Sequence, residues 1–197
     1  MGKFALIWIA NGFDPADPDS LDCFSRDTLH RLLEMYTQYR SQGQGVKILI
    51  PNYRVRSRSG RVLVDVMRDA IIPLVLWGDV QISQEGSINL LNNCDIVAAY
   101  EKANQGTQIF VFLGHPVLRN YFESSYRAMC KILRVDATAE ALTFATENIS
   151  WRTRGLYTAL GAWTQLLACS LSLFRGWFAF RKLHDNRRTH NFVRTVK

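Results

Sequence analysis

The polar residues best suited to chemistry fall into a few short sets. His115 carries an imidazole able to take or give a proton near neutral pH, Glu85 offers a carboxylate to pair with it, and Arg119 offers a guanidinium to hold an anion. Together they would form the acid/base arrangement of a hydrolase or transferase. Ser87, Asn89, Asn92 and Asn93 crowd the segment 84–93. Each asparagine amide both donates and accepts hydrogen bonds, which suits recognition of a ligand as well as it suits the start of a helix. Ser87 is not framed as Gly-x-Ser-x-Gly, so capping the next helix is a more economical role for it than nucleophilic attack. Asn11-Gly12 and Gly114-His115 mark two further polar turns. The sequence supports a binding site and leaves open whether any reaction is turned over.

Elements that must position these residues follow from hydrophobic periodicity. Continuous apolar runs at 4–10, 46–50, 72–77 and 108–113 read as buried strands, with a fifth at 141–145. Between them, apolar residues recur at helical spacing over 28–40, 62–71, about 90–103 and 117–133. This alternation predicts an α/β, Rossmann-like three-layer domain with a mostly parallel sheet of about five strands and a long C-terminal helix. Asn11 and Gly12, Asn52 with Arg54, the segment 84–93, and Gly114 with His115 and Arg119 each follow one such strand. In a doubly wound sheet all of them face one crevice at the carboxyl edge. The first turn has no Gly-x-Gly-x-x-Gly, so dinucleotide binding of the usual type is not supported.

Composition bounds the partners. The chain has 197 residues, 48% of them hydrophobic and 21% charged, which is enough apolar material for an ordinary core and excludes a disordered chain. A formal charge of +7 favours anionic partners. Arg54, Arg56, Arg58 and Arg61 form one basic cluster and the C-terminal end another, while Asp14, Asp17, Asp19 and Asp22 crowd an early loop. The aspartates lack any calcium-loop spacing, and the basic residues lack the interleaved aromatics of a single-strand groove, so no metal is expected and nucleic acid is disfavoured. Cys23, Cys94, Cys130 and Cys169 form no Cys-x-x-Cys pair and read as reduced thiols of a cytosolic protein. The N-terminal apolar run is too short for a signal peptide.

Ser87-x-Asn89-x-x-Asn92-Asn93 resembles the Ser-x-Asn-Thr-x-Glu-Asn signature of the YdcF-like family, which includes the envelope factors ElyC and SanA. Arg26 and Arg31 in the early helix, Gly114-His115, and Trp151 after a fifth strand add to the likeness. Leu90 stands where that family usually has threonine and Asn92 where it usually has glutamate; Arg119 falls one position beyond the family spacing from the histidine. The resemblance implies a Rossmann-like domain over 1–155 that binds a small anionic or adenosyl-containing ligand, of S-adenosylmethionine or nucleotide type, with a link to the cell envelope. With the turns at the carboxyl edge, the candidate ligand-binding residues are Asn11, Gly12, Ser87, Asn89, Asn93, Gly114 and Arg119, with His115 and Glu85 as the catalytic candidates.

Residues 156–174 contain no charge and are bracketed by arginines, with Trp151, Trp163 and Trp177 at helical spacing. The stretch reads as a helix packed on the domain or on a second copy, as an interfacial membrane helix, or as a span. With the tail it makes a C-terminal element over 156–197. A non-catalytic membrane-surface or envelope factor acting through this element is the alternative to a ligand-binding domain. The expected location is cytoplasmic, with peripheral association or anchoring at the inner membrane left open, as is oligomer formation.

Overall fold

In the computed structural model, residues 3–84, 89–136, 139–145 and 149–195 are described. Strand β1 (Lys3–Trp8) lies at the centre of a five-stranded sheet, hydrogen-bonded to β2 (Gly45–Ile50) on one side and β4 (Thr107–Leu113) on the other. The order is β3-β2-β1-β4-β5, with β3 at Val80–Ile82 and β5 at Ala139–Thr143, and every pairing is parallel. Leu6 sits opposite both Ile48 and Phe110. This is a Rossmann-like α/β fold.

A parallel sheet must be covered on both faces, and the side-chain period of two decides which residue serves which face. Leu6, Trp8, Ile48, Ile50, Phe110 and Phe112 point to the side covered by α1 (Cys23–Ser41) and α2 (Leu63–Ile71). Ala5, Ile7, Ile109, Val111 and Leu113 point to the side covered by α3 (Leu90–Ala103) and α4 (Val117–Leu133). Helix α5 (Trp151–Ala168) then packs along α4, and α6 (Leu171–Thr195) touches α3, α4 and α5. Close approach of α5 is possible at Gly161, where an added Cβ would already meet Asn120 and Tyr121 at 3.5 Å. Leu167 of α5 and Phe174 of α6 share the core cluster of Ala5 and Ile7. The division expected at 155 falls inside α5.

Two expectations change. Residues 72–77 are not a buried strand: Ile72–Leu74 and Trp77–Asp79 form 3-10 turns, with Leu74, Leu76 and Trp77 exposed. Pro73 has no N–H to give a sheet ladder. Asp79 explains why the strand begins only at Val80: its carboxylate accepts from the Tyr36 hydroxyl at 2.9 Å and faces Lys47 at 3.4 Å and Arg40 at 3.7 Å. The Tyr36 oxygen in turn accepts from Leu76 N–H, and Lys47 Nζ donates to the Gly78 carbonyl, so both turns are tied to β2 and α1. The second change concerns the charge-free stretch 156–174, which is two helices broken at Cys169 and Ser170 rather than one long helix. The Ser170 carbonyl starts α6 by accepting from Phe174 N–H. No helix among the described residues is long and apolar enough to cross a membrane.

Glu101, on the last turns of α3, is 3% exposed, and its Oε2 has no hydrogen-bond partner. Burial pushes its carboxyl up to about 7. Because this value lies above that of the unfolded chain, the native state holds an extra proton between the two, so the contribution to stability is full below the unfolded pKa and is lost as pH rises towards 7. Unfolding free energy should therefore fall by ~2 kcal/mol between about pH 5 and about pH 8 in urea titrations, and Glu101→Gln should flatten that decline. Parallel pH profiles for the two proteins would show that the carboxyl is paired.

Candidate functional site

Strands β1 and β4 are neighbours, yet the helices that follow them, α1 and α4, lie on opposite faces of the sheet. Their ends therefore diverge, leaving a crevice at the carboxyl edge between residues 9–12 and 114–116. One wall is fastened by hydrogen bonds. Trp8 Nε1 donates to Thr28 Oγ1 at 2.8 Å and reaches the Ser25 carbonyl at 3.2 Å. Asn11 N–H donates to Ser25 Oγ at 3.0 Å, and Asp22 caps α1 by accepting from Ser25 N–H at 2.9 Å. The helix thus starts at Cys23, five residues before the periodicity predicts, with Asp22 as its cap. Gly12, with φ +155°, takes the turn after β1, and its carbonyl accepts from Asp22 N–H. On the other wall Gly114 is tightly packed: a Cβ there would stand 3.0 Å from Phe24 Cβ, so the Phe24 side chain would have to shift.

His115 is buried beside Phe24, ring edge to ring face at 6.4 Å. Its Nδ1 accepts from Val117 N–H at 3.2 Å. Burial lowers its pKa, and the positive charge of Arg154 lowers it further. A neutral ring whose Nδ1 accepts must carry its proton on Nε2, so His115 offers a donor rather than a base. Arg154, an exposed residue on the first turn of α5, brings a cation to the same place.

Beneath the β1 end lies a second polar group. Tyr53 is fully buried, its oxygen accepts from Ala10 N–H at 3.4 Å, and burial raises its pKa above the ordinary phenol value. The Asn93 side chain lies against that hydroxyl, but neither its Oδ1 nor its Nδ2 completes a hydrogen bond. Asn93 is 1% exposed. An amide buried without partners costs about 1–3 kcal/mol, so the fold carries a penalty at the floor of the crevice.

Several expected residues have other work. Asn89 is the N-cap of α3, its Oδ1 accepting from Leu91 N–H at 3.0 Å. Arg119 is exposed and paired with Glu123 at 2.7 Å, one turn along α4, a bond that raises its pKa. Asn52 ties β2 to the end of β3 through Ser83 Oγ and the Gln84 carbonyl. The early aspartates accept within or beside their own loop: Asp14 from Ala16 N–H and beside Arg26, Asp17 from Asp19 N–H and the Ser20 hydroxyl, Asp19 from the Ser59 hydroxyl. Glu85 and Ser87 lie outside the described residues. The structure adds Tyr53, Phe24 and Arg154 to the crevice. Tyr53 and Phe24 look like ordinary core aromatics in the sequence, whereas Arg154 had a signal, being a basic residue just after the fifth strand.

Comparison with family models, curated proteins and solved structures gave no match.

The two asparagines of α3 should separate in urea denaturation. Asn89→Ala removes a cap and should cost about 1 kcal/mol. Asn93→Leu removes an unpartnered amide of similar volume and should leave stability unchanged or raise it by about 1 kcal/mol. A large loss for Asn93→Leu would show that its amide is structural.

Proposed function

We propose that this chain is a small-molecule-binding Rossmann-like domain that takes an anionic or adenosyl-containing ligand, of S-adenosylmethionine or nucleotide type, at the carboxyl edge between β1 and β4. The observation that carries this reading is Asn93, a fully buried amide that lies against the Tyr53 hydroxyl without completing a well-formed hydrogen bond. A ligand that bonded this amide would offset that cost. Three helix starts, those of α1, α3 and α4, follow strands that end at this edge, and their free N–H groups favour negative charge. Neutral His115 and cationic Arg154 favour an anion as well, and Phe24 offers a ring against which a planar base can stack. Binding fits His115 better than acid/base catalysis with Glu85, because its Nε2 carries the proton. A part in cell-envelope biogenesis rests on the resemblance of Ser87, Asn89 and Asn93 to the YdcF-like signature.

The test is a thermal-shift panel of S-adenosylmethionine, nucleotides, sugar nucleotides and divalent metals, since a ligand that binds only the native state raises Tm. We expect S-adenosylmethionine or a nucleotide to raise Tm by about 5–11 °C at about 100 times its Kd. Asn93→Leu should abolish that shift, and Arg154→Gln should weaken it more for phosphorylated ligands than for adenosine. No shift in a protein that melts cooperatively, or a shift that survives Asn93→Leu, would refute the site.

A further inference from the structure

We infer that the α5–α6 hairpin lies flat on an anionic lipid bilayer, with its outward faces immersed at the level of the headgroups. Helix α5 is two-sided. Gly161, Thr164 and Leu167 face the domain, while Trp151, Leu156, Trp163 and Leu166 stand 78%, 58%, 49% and 67% exposed on the opposite side. At 100° per residue these four, with exposed Gly155, Ala159 and Ala162, fall on one broad stripe. Helix α6 repeats the pattern: Phe174 is buried against the core, and Leu173, Gly176, Ala179, Phe180 and Leu183 are exposed together on the far side.

The two stripes join. Trp163 meets Trp177 edge to face at 6.5 Å, and Trp177 stacks on Phe180 at 6.1 Å, so aromatic contact runs from one helix to the other. An apolar surface this long is unusual on a protein exposed only to water. Cations flank it. Arg152 lies over the Trp151 ring at 5.4 Å and Lys182 over the Phe178 ring at 5.8 Å, so positive charge sits beside rings on this face.

Charge selects the occupant. From 148 to 184 there is no aspartate or glutamate, while Arg152, Arg154, Arg175, Arg181 and Lys182 are present. A second copy docked by two-fold symmetry would set this basic face against itself, whereas an anionic bilayer supplies both the apolar medium and the opposite charge. Neither helix crosses: α5 has 18 residues and ends at a break, and no helix among the described residues is long and apolar enough to span. The stripe lies on the side of α5 opposite Gly161, Thr164 and Leu167, and Asn93 is on α3, outside it.

Flotation of the full chain with vesicles tests this. With phosphatidylcholine vesicles containing about 30% phosphatidylglycerol, the protein should float and its tryptophan emission should shift to the blue, and the bound fraction should fall as salt is raised from about 0.05 to about 0.3 M. The double variant Leu156→Glu, Leu166→Glu, with both positions exposed and circular dichroism unchanged, should lower binding by about tenfold. Asn93→Leu should float like the parent, which separates this surface from the crevice. Protein left at the bottom of the gradient with both kinds of vesicle overturns the proposal, as does equal binding to pure phosphatidylcholine. Concentration-dependent dimers lost in the double variant, without flotation of the parent, would assign the face to a second copy instead.

Discussion

Strand β1 is hydrogen-bonded on both sides and covered on both faces, and Ala5, Leu6, Ile7 and Trp8 are all without solvent exposure. Among the described strands it is the central one of the five. A central parallel strand has to satisfy two ladders and two helical layers at once, which allows only a continuous apolar run. Its two neighbours then lead their helices to opposite faces, and the crevice at the carboxyl edge is the geometrical remainder. The indole N–H of Trp8 binds α1 to this frame through Thr28 and Ser25, so the strand that creates the crevice also holds one of its walls.

Polar groups around that crevice are arranged at some expense to the fold. Tyr53 and Asn93 are buried where apolar side chains would pack without penalty, and His115 is kept neutral in a pocket that also receives the field of Arg154. Several polar residues elsewhere close their own circuits, Asp79 with Tyr36, Lys47 and Arg40, Arg61 with Asp69, Arg119 with Glu123, whereas Glu101 Oε2 does not. Satisfied networks hold elements in place, whereas partly satisfied buried ones mark positions where something other than packing has shaped the residue choice.

Helix α5 takes part in both of the proposed surfaces. Its first turn brings Arg154 towards His115, its inner stripe fits α4 across Gly161, and its outer stripe is apolar. One helix therefore contributes to the crevice, the core and the exposed face, through three sets of positions that interleave along nineteen residues from cap to last turn.

Much of the fold was legible in the sequence, because strand and helix periods are local. The runs that became β1, β2 and β4 and the stripe of α4 could be read directly from the order of apolar residues. Residues 72–77 could not, since their apolar character resembles that of a buried strand. What turns them into exposed 3-10 turns is a carboxylate at Asp79 held by Tyr36 and Lys47 from far along the chain. The site divided in the same way. That Asn11, Gly114 and His115 gather at one edge follows from alternation of strands and helices, a consequence of chain order alone. The partners of their side chains do not: Asn89 caps α3, Arg119 pairs with Glu123, and Arg154 and Tyr53 come near from elements distant in sequence. Periodicity determines where each backbone segment runs, but the partner of a polar side chain is set by which elements meet in space, and only the tertiary structure decides that.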